Sequence, residues 1–451
     1  MLRSCKPFLR LTSVPVARYN HSSLSSTSSP TPVFLNSVRD GPIPAFRLLG
    51  SEGSLLDSTN EWGKKAMEID GEKLQKMLRV CTLLPQLDQI LFSSQRQGRI
   101  SFYMTSYGEE GAVVGSAAAW ENDDEVFAQY REVGVLLWRD YPLSSLMSQV
   151  FASKSDTATL GRQMPVHYGS KEYHFHTISS PLGTQLPQAA GAAYALKRTP
   201  GRENSCVICY VGEGATSEGD FHAALNMASV LGGPLVFFVR VRLLHRLSCF
   251  AISTPVCQQY AGDGIAARGP GYGIDTVRVD GNDPLAVYLV CKEARRRAVE
   301  GKKPVLVEAL SYRVSHHSTS DDSTAYRSVD EVNAKKLDSP IFRMRKYLES
   351  LSPPLWSKKM EDEVKDAGKR EILREFSKAE KEKKPALEHM FGDVFAKLEG
   401  ERAEEEGGEL ERPQREQKQE LRRLVEKWGE ADTWKKELEK FDGGREAVLK
   451  W

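Results

Sequence analysis

No apolar run in the 451 residues approaches the roughly 18–20 residues that a bilayer-spanning helix needs, so no membrane span is expected. Cysteine is scarce, at seven in the whole chain, which argues against a disulfide framework. Net charge is nearly absent: 62 basic and 61 acidic residues leave a formal +1, not the footprint of a nucleic-acid partner. Acid is missing altogether from the first 39 residues, where Arg3, Lys6, Arg10, Arg18 and Arg39 accompany serines clustered at 22–29. That is the composition of a mitochondrial transit peptide, expected to occupy about residues 1–30.

What the chain does contain is an alternation of strand-like and helix-like segments. Strands are expected at 205–211, 235–240, 276–280 and 304–312, with helices at 217–231 and 284–300 between them. Such alternation predicts an α/β fold with a mostly parallel sheet and helices on both faces. Upstream, Leu74, Met77, Leu78, Cys81, Leu84 and Leu87 recur at helical spacing over 71–95. Beyond about residue 357 lysine and glutamate dominate, and a charged tail is expected over 399–451, after a main domain over 31–398. Its last residues, 418–451, carry spaced apolar positions that suit a docking helix.

The first strand of the alternation ends in Gly212-Glu213-Gly214, followed by Ala215 and a helical pattern. Glycines permit a tight turn and close approach of a ligand, and a helix start offers N–H groups to an anion. Glu213 between them is an oxygen donor suited to a hard cation such as Mg²⁺. Taken alone, a glycine turn between strand and helix is common in α/β proteins without a phosphate ligand. Cys206-x-x-Cys209 lies within the same strand and is expected to pack. His174 and His176 alternate without an evident third metal ligand, which favours packing or exposure.

Longer motifs accompany the turn: Gln95–Tyr103 (QRQGRISFY), Gln129–Glu132 (QYRE), Gly161–Tyr168 (GRQMPVHY), Ile178–Leu182 (ISSPL) and His316–Asp322 (HHSTSDD). In this order they resemble the alpha subunit of the branched-chain 2-oxoacid dehydrogenase, the thiamine-diphosphate-dependent decarboxylase of a mitochondrial complex. The resemblance implies a thiamine-diphosphate-binding fold and a matrix location. It also implies oxidative decarboxylation of branched-chain 2-oxo acids, with acyl transfer to lipoyl groups. The partners it implies are a beta subunit, two alpha with two beta, a lipoyl-bearing acyltransferase core, and a regulatory kinase and phosphatase. The pyruvate dehydrogenase alpha subunit shares fold and cofactor and is the nearest alternative.

The same resemblance implies roles residue by residue. Tyr130, Arg131, Gly212, Gly214, Ala215 and Arg240 would surround the diphosphate, with Ser180 and Leu182 on the aminopyrimidine side. Glu213 and the carbonyl of Phe250 would hold Mg²⁺, and Ser179, Pro181, Thr184 and Gln185 would hold K⁺. His317 would lie beside the cofactor and move protons, a role suited to a group that titrates near neutrality. Ser318 and Ser328 match phosphorylated positions, where a phosphate would add about −1.5 to −2 charges beside an anionic cofactor.

One segment departs from the pattern. Where the family has Asn-Asn-Gly after the residue matched by Arg240, this chain has Val241–Cys249 (VRLLHRLSC), and the pattern resumes at Phe250. The asparagine that would give Mg²⁺ a side-chain oxygen is missing, and Arg242 brings charge of the wrong sign. Two accounts fit: translated non-coding sequence at an exon junction, or a genuine insertion that leaves a cofactor-deficient assembly subunit.

Overall fold

The computed structural model describes residues 28–35, 42–242, 250–251, 254–260, 262–312, 321, 338–391 and 407–451. Its strands are β1 (Ser28–Ser29), β2 (Ala45–Phe46), β3 (Glu125–Phe127), β4 (Phe175–His176), β5 (Val207–Gly212), β6 (Leu235–Arg242), β7 (Phe250–Ala251), β8 (Thr254–Pro255), β9 (Asp275–Asp280) and β10 (Pro304–Ser311). Helices are α1 (Glu61–Met67), α2 (Gly71–Arg96), α3 (Glu110–Ala117), α4 (Val133–Trp138), α5 (Leu143–Phe151), α6 (Gln185–Leu196), α7 (Gly219–Leu231), α8 (Val256–Gln259) and α9 (Pro284–Gly301). There follow α10 (Pro340–Ser350), α11 (Lys358–Lys381), α12 (Gly407–Trp428), α13 (Asp432–Leu438) and α14 (Gly444–Leu449). None of these helices is long and apolar enough to cross a membrane.

Eight strands form one sheet in the order β1-β2-β9-β10-β6-β5-β3-β4, every pair parallel. Its central strands are apolar on both faces, as a sheet covered by helices on each side requires. On β5, Ile208 and Tyr210 join the larger core with α2, α3, α4, α5 and α9, while Val207, Cys209 and Val211 join the smaller core with α6 and α7. β6 repeats the division, with Val236 and Phe238 on one face and Leu235, Phe237, Val239 and Val241 on the other. Each such fully buried side chain contributes about 1.5–3 kcal/mol. By this period of two, Arg240 faces the larger-core side.

The thiols of Cys206 and Cys209 fall in opposite cores, because a three-residue step along a strand changes face. They pack, as the sequence suggests. The helix expected at 71–95 is α2, capped by Asp70, whose carboxylate accepts from Lys73 N at 3.0 Å. The end of the chain is three helices rather than one: α12, of 22 residues, and the short α13 and α14. Val425, Leu438 and Val448 share a small core of their own, with Leu387 packed against it.

Candidate functional site

Four neighbouring strands, β6, β5, β3 and β4, place their carboxyl ends side by side, the usual location of a ligand in an open parallel sheet. β3 runs into Gln129-Tyr130-Arg131-Glu132, and β4 into Ser179-Ser180-Pro181-Leu182. β5 runs into Gly212-Glu213-Gly214, and β6 ends through Arg240. Hydrogen bonds lock the four ends together. Gly212 N donates to Gln129 Oε1 at 2.7 Å and Glu213 N to the Arg240 carbonyl at 3.0 Å. The Tyr130 hydroxyl donates to the Ser180 carbonyl. The loop from β5 first makes a 3₁₀ turn, Gly214–Ser217, so α7 starts at Gly219, later than the sequence pattern suggests.

Arg240 is buried between two carboxylates: one guanidinium nitrogen pairs with Glu109 and another meets Glu132 Oε1 at 2.5 Å. Burial opposes its charge, but Glu132 and Glu109 outweigh that and hold its pKa above the ordinary value. Glu132 in turn accepts from Gln129 N at 2.8 Å and Arg131 N at 3.2 Å through Oε2. Arg131 is buried and donates to the Thr105 carbonyl. Nearby, Asp88 accepts from Tyr103 Oη at 2.8 Å and Ser106 N at 2.6 Å. Burial nevertheless pushes its pKa up to about 7.

Glu213 is almost fully buried, and its carboxylate accepts from Gln259 Nε2 at 3.3 Å. The Thr216 hydroxyl braces the turn by donating to the Glu213 carbonyl at 2.7 Å. Ala215 is buried against the smaller core, and Gly214 is exposed. Ser180 Oγ meets Nε2 of the buried His167 at 2.7 Å, and the His167 and Tyr130 ring centroids lie 5.4 Å apart. Leu182 is exposed at the rim. The expected cation ligands Pro181 and Thr184 meet through a hydrogen bond from the Thr184 hydroxyl at 3.2 Å. Gln185, buried at the start of α6, gives its amide N–H to the Tyr210 carbonyl at 3.0 Å. Its amide oxygen points the other way, and Ser179 is half-buried beside the same turn.

Among the described residues, Arg240 Nε and Gln259 Oε1 are buried at this edge without a hydrogen-bond partner, and Glu132 Oε1 is met only by the Arg240 ion pair. The first is a donor that wants an anion, the second an oxygen that wants a cation or donor. The residues present therefore fit an anion paired with a hard metal ion. Among the described residues no group of three or more His, Cys, Asp or Glu is placed to hold a metal.

His317, Ser318 and Ser328 lie outside the described residues, as does the segment 243–249. Phe250 is described only as backbone, in a small antiparallel hairpin where β7 pairs Phe250 with Pro255 of β8. His174 and His176 converge on Glu125, at 3.0 and 3.1 Å, and His176 also stacks on Phe127. They serve packing and hydrogen bonding to Glu125. Glu109, Glu132, Gln129, His167 and Gln259 were given no role by the sequence. The first signal for three of them is that Gln129, Glu132 and His167 sit inside the long motifs.

The dehydrogenase E1 component family matches residues 78–388. The chain is 53% identical over 357 residues to the human 2-oxoisovalerate dehydrogenase subunit alpha, mitochondrial, covering 79% of this chain and 77% of the relative. It is 49% identical to the Caenorhabditis elegans protein of that name, with 79% of each chain covered. It is 44% identical over 354 residues to subunit alpha 1 of Arabidopsis thaliana, covering 78% of this chain and 72% of the relative.

Proposed function

The chain belongs to the dehydrogenase E1 component family, and on that premise we propose that it is the mitochondrial alpha subunit of a branched-chain 2-oxoacid dehydrogenase. It acts in the oxidative decarboxylation of branched-chain 2-oxo acids, assembled with a beta subunit and serving a lipoyl-bearing acyltransferase core. The observation that carries this reading is the convergence of buried Arg131, Arg240 and Glu213 on adjacent strand ends, in a chain about half identical to 2-oxoisovalerate dehydrogenase alpha subunits.

Thiamine diphosphate supplies, when bound, the electron sink that decarboxylation of a 2-oxo acid needs. Arg131 and the Nε–H of Arg240 would hold its diphosphate oxygens, since guanidinium stays charged and donates in a fixed geometry. Tyr130, Gly212, Gly214 and Ala215 would close the cradle, and Ser180 and Leu182 would bear on the ring side. Glu213 would hold Mg²⁺ as a hard oxygen donor. Ser179, Pro181, Thr184 and Gln185 would hold K⁺ and so fix the turn that carries Ser180. His317 as proton carrier, and Ser318 and Ser328 as sites for a regulatory kinase and phosphatase, complete the proposal.

The test is turnover by the assembled enzyme, with lipoyl domain as acceptor, on 3-methyl-2-oxobutanoate against pyruvate. Preference for the branched substrate is expected; preference for pyruvate would transfer the chain to the pyruvate enzyme. A second reading, a cofactor-deficient assembly subunit, is favoured by one observation: Arg240 is already bridged to Glu109 and Glu132. Stable assembly with no uptake of thiamine diphosphate in calorimetry would establish that reading instead.

A further inference from the structure

The segment that replaces the missing asparagine is followed by the paired strands β7 and β8, and β8 leads directly into α8, whose last residue is Gln259. There the Gln259 amide nitrogen stands 3.3 Å from Glu213 Oε1 and 2.9 Å from the Thr254 carbonyl oxygen. The oxygen of the same amide is buried and has no partner. An amide so placed satisfies its donor side and strands its acceptor, an arrangement with an uncompensated desolvation cost.

A divalent cation on Glu213 reverses that preference. With the amide turned over about its Cγ–Cδ bond, Gln259 Oε1 occupies the position now held by the nitrogen, and the NH₂ takes the position where the oxygen is stranded. That single position would then lie 3.3 Å from Glu213 Oε1 and 2.9 Å from the Thr254 oxygen. Without a cation, such an approach of oxygens is repulsive. Around Mg²⁺, with ligands at about 2.1 Å and near-octahedral angles, neighbouring ligand oxygens sit about 3.0 Å apart. The observed spacings bracket that value.

We propose that the Gln259 side-chain oxygen, with the Thr254 carbonyl beside it, replaces the missing asparagine as a ligand of the divalent cation held by Glu213. The inference rests on the reading of Glu213 as a metal ligand given above. It makes the chain a cofactor-competent subunit with a rebuilt metal arm: the ligand arrives from beyond the altered segment rather than from within it. Arg242, whose charge would repel a cation, is not required as a donor.

The test uses the assembled two-alpha, two-beta enzyme and Mn²⁺ as a paramagnetic probe, with free Mn²⁺ followed by electron paramagnetic resonance in the presence of thiamine diphosphate. The variants are Gln259→Leu, which removes both polar atoms, and Gln259→Glu, which keeps an oxygen donor. Mn²⁺ affinity should fall about tenfold or more in Gln259→Leu and be retained in Gln259→Glu. Thermal stability of the metal-free proteins, measured in parallel, should change far less than the metal affinity does. If Gln259→Leu does not assemble, Gln259→Asn, one methylene too short to reach, is expected to show the same loss. Wild-type binding that survives undiminished in the Leu or Asn variant overturns this inference alone. A wild-type enzyme that takes up no Mn²⁺ overturns the cofactor reading, and this inference with it.

Discussion

Ser180 Oγ lies 2.7 Å from Nε2 of His167, and this contact ties the two side chains together. The other ring nitrogen, Nδ1, faces the carbonyl oxygens of Met164 and Pro165, each at 3.1 Å, and so must carry a proton. With Nε2 unprotonated, that nitrogen is the acceptor and the Ser180 hydroxyl the donor. Since the Ser180 carbonyl also accepts from Tyr130, this residue is held at both its polar groups. The loop after β4 is therefore set before any ligand arrives.

Replacing His167 by Phe keeps a ring against Tyr130 but removes the acceptor. A single neutral hydrogen bond contributes about 1 kcal/mol, so thiamine diphosphate affinity should drop roughly fivefold. Ser180→Ala should cost a similar amount, and the double variant little more than either, because both delete one interaction. Titration of the cofactor into the three assembled variants checks this. Additive losses would mean that the pair acts separately.

Arg240 offers a larger effect. Exchange for Met leaves Glu109 and Glu132 buried with their shared cation gone, a change of the kind that costs about 3–5 kcal/mol. Arg240→Lys keeps the charge but cannot reach two carboxylates with a planar fork, and should fall between wild type and Met. Denaturant midpoints report the order. A loss below about 1 kcal/mol for Met, the scale of an exposed pair, would contradict the buried-bridge account.

The parts of this architecture that follow a period are readable in the sequence. β5 and the first five residues of β6 are continuous apolar runs, and β10 is one interrupted by Glu308, because helices cover both faces; α2 repeats Leu74, Met77, Leu78, Cys81 at helical spacing. The strand-end position of Glu213 follows from the same alternation. Glu109 and Glu132 are different. Nothing local marks them as buried, because their burial depends on an arginine more than a hundred residues away. Gln259 is less readable still: it reaches Glu213 from the helix that follows the antiparallel pair β7 and β8. The helical end of the chain is misread as a single helix because Gly429 and Gly443 break a charge pattern that looks continuous.

Glu125 ties the acid limit of stability to the far edge of the sheet. Burial alone would raise its pKa, but hydrogen bonds from His176, His174 and Arg202 draw it down to about 2. A carboxyl with a depressed folded pKa contributes stability that is complete above its unfolded value, near 4.5, and is lost as pH falls toward 2. Glu125→Gln should therefore cost roughly 1–2 kcal/mol at neutral pH, after allowance for partial exposure, and almost nothing near pH 2. Urea midpoints across that range test it. A cost that does not shrink with acid would assign the effect to packing instead.

Glu213 should separate ligand binding from folding stability by moving them in opposite directions. It is buried, and its carboxylate accepts a hydrogen bond from the Gln259 amide. Glu213→Gln keeps the shape and removes a buried charge, so the metal-free protein should be as stable as wild type or slightly more so. Metal affinity should fall by about 100-fold, the upper end of what is seen when a group tuning a metal site is lost. At cofactor and Mg²⁺ levels about 100 times the wild-type dissociation constant, binding stabilises wild type by about 2.7 kcal/mol; a 100-fold weaker variant would gain only about 0.4 kcal/mol. Chelation by EDTA should bring the wild-type melting temperature back to its metal-free value and leave the variant almost unmoved. Were Glu213→Gln to destabilise the metal-free protein as much as it weakens the loaded one, the carboxylate would be a structural hydrogen-bond acceptor, and the metal assignment would lose its central residue.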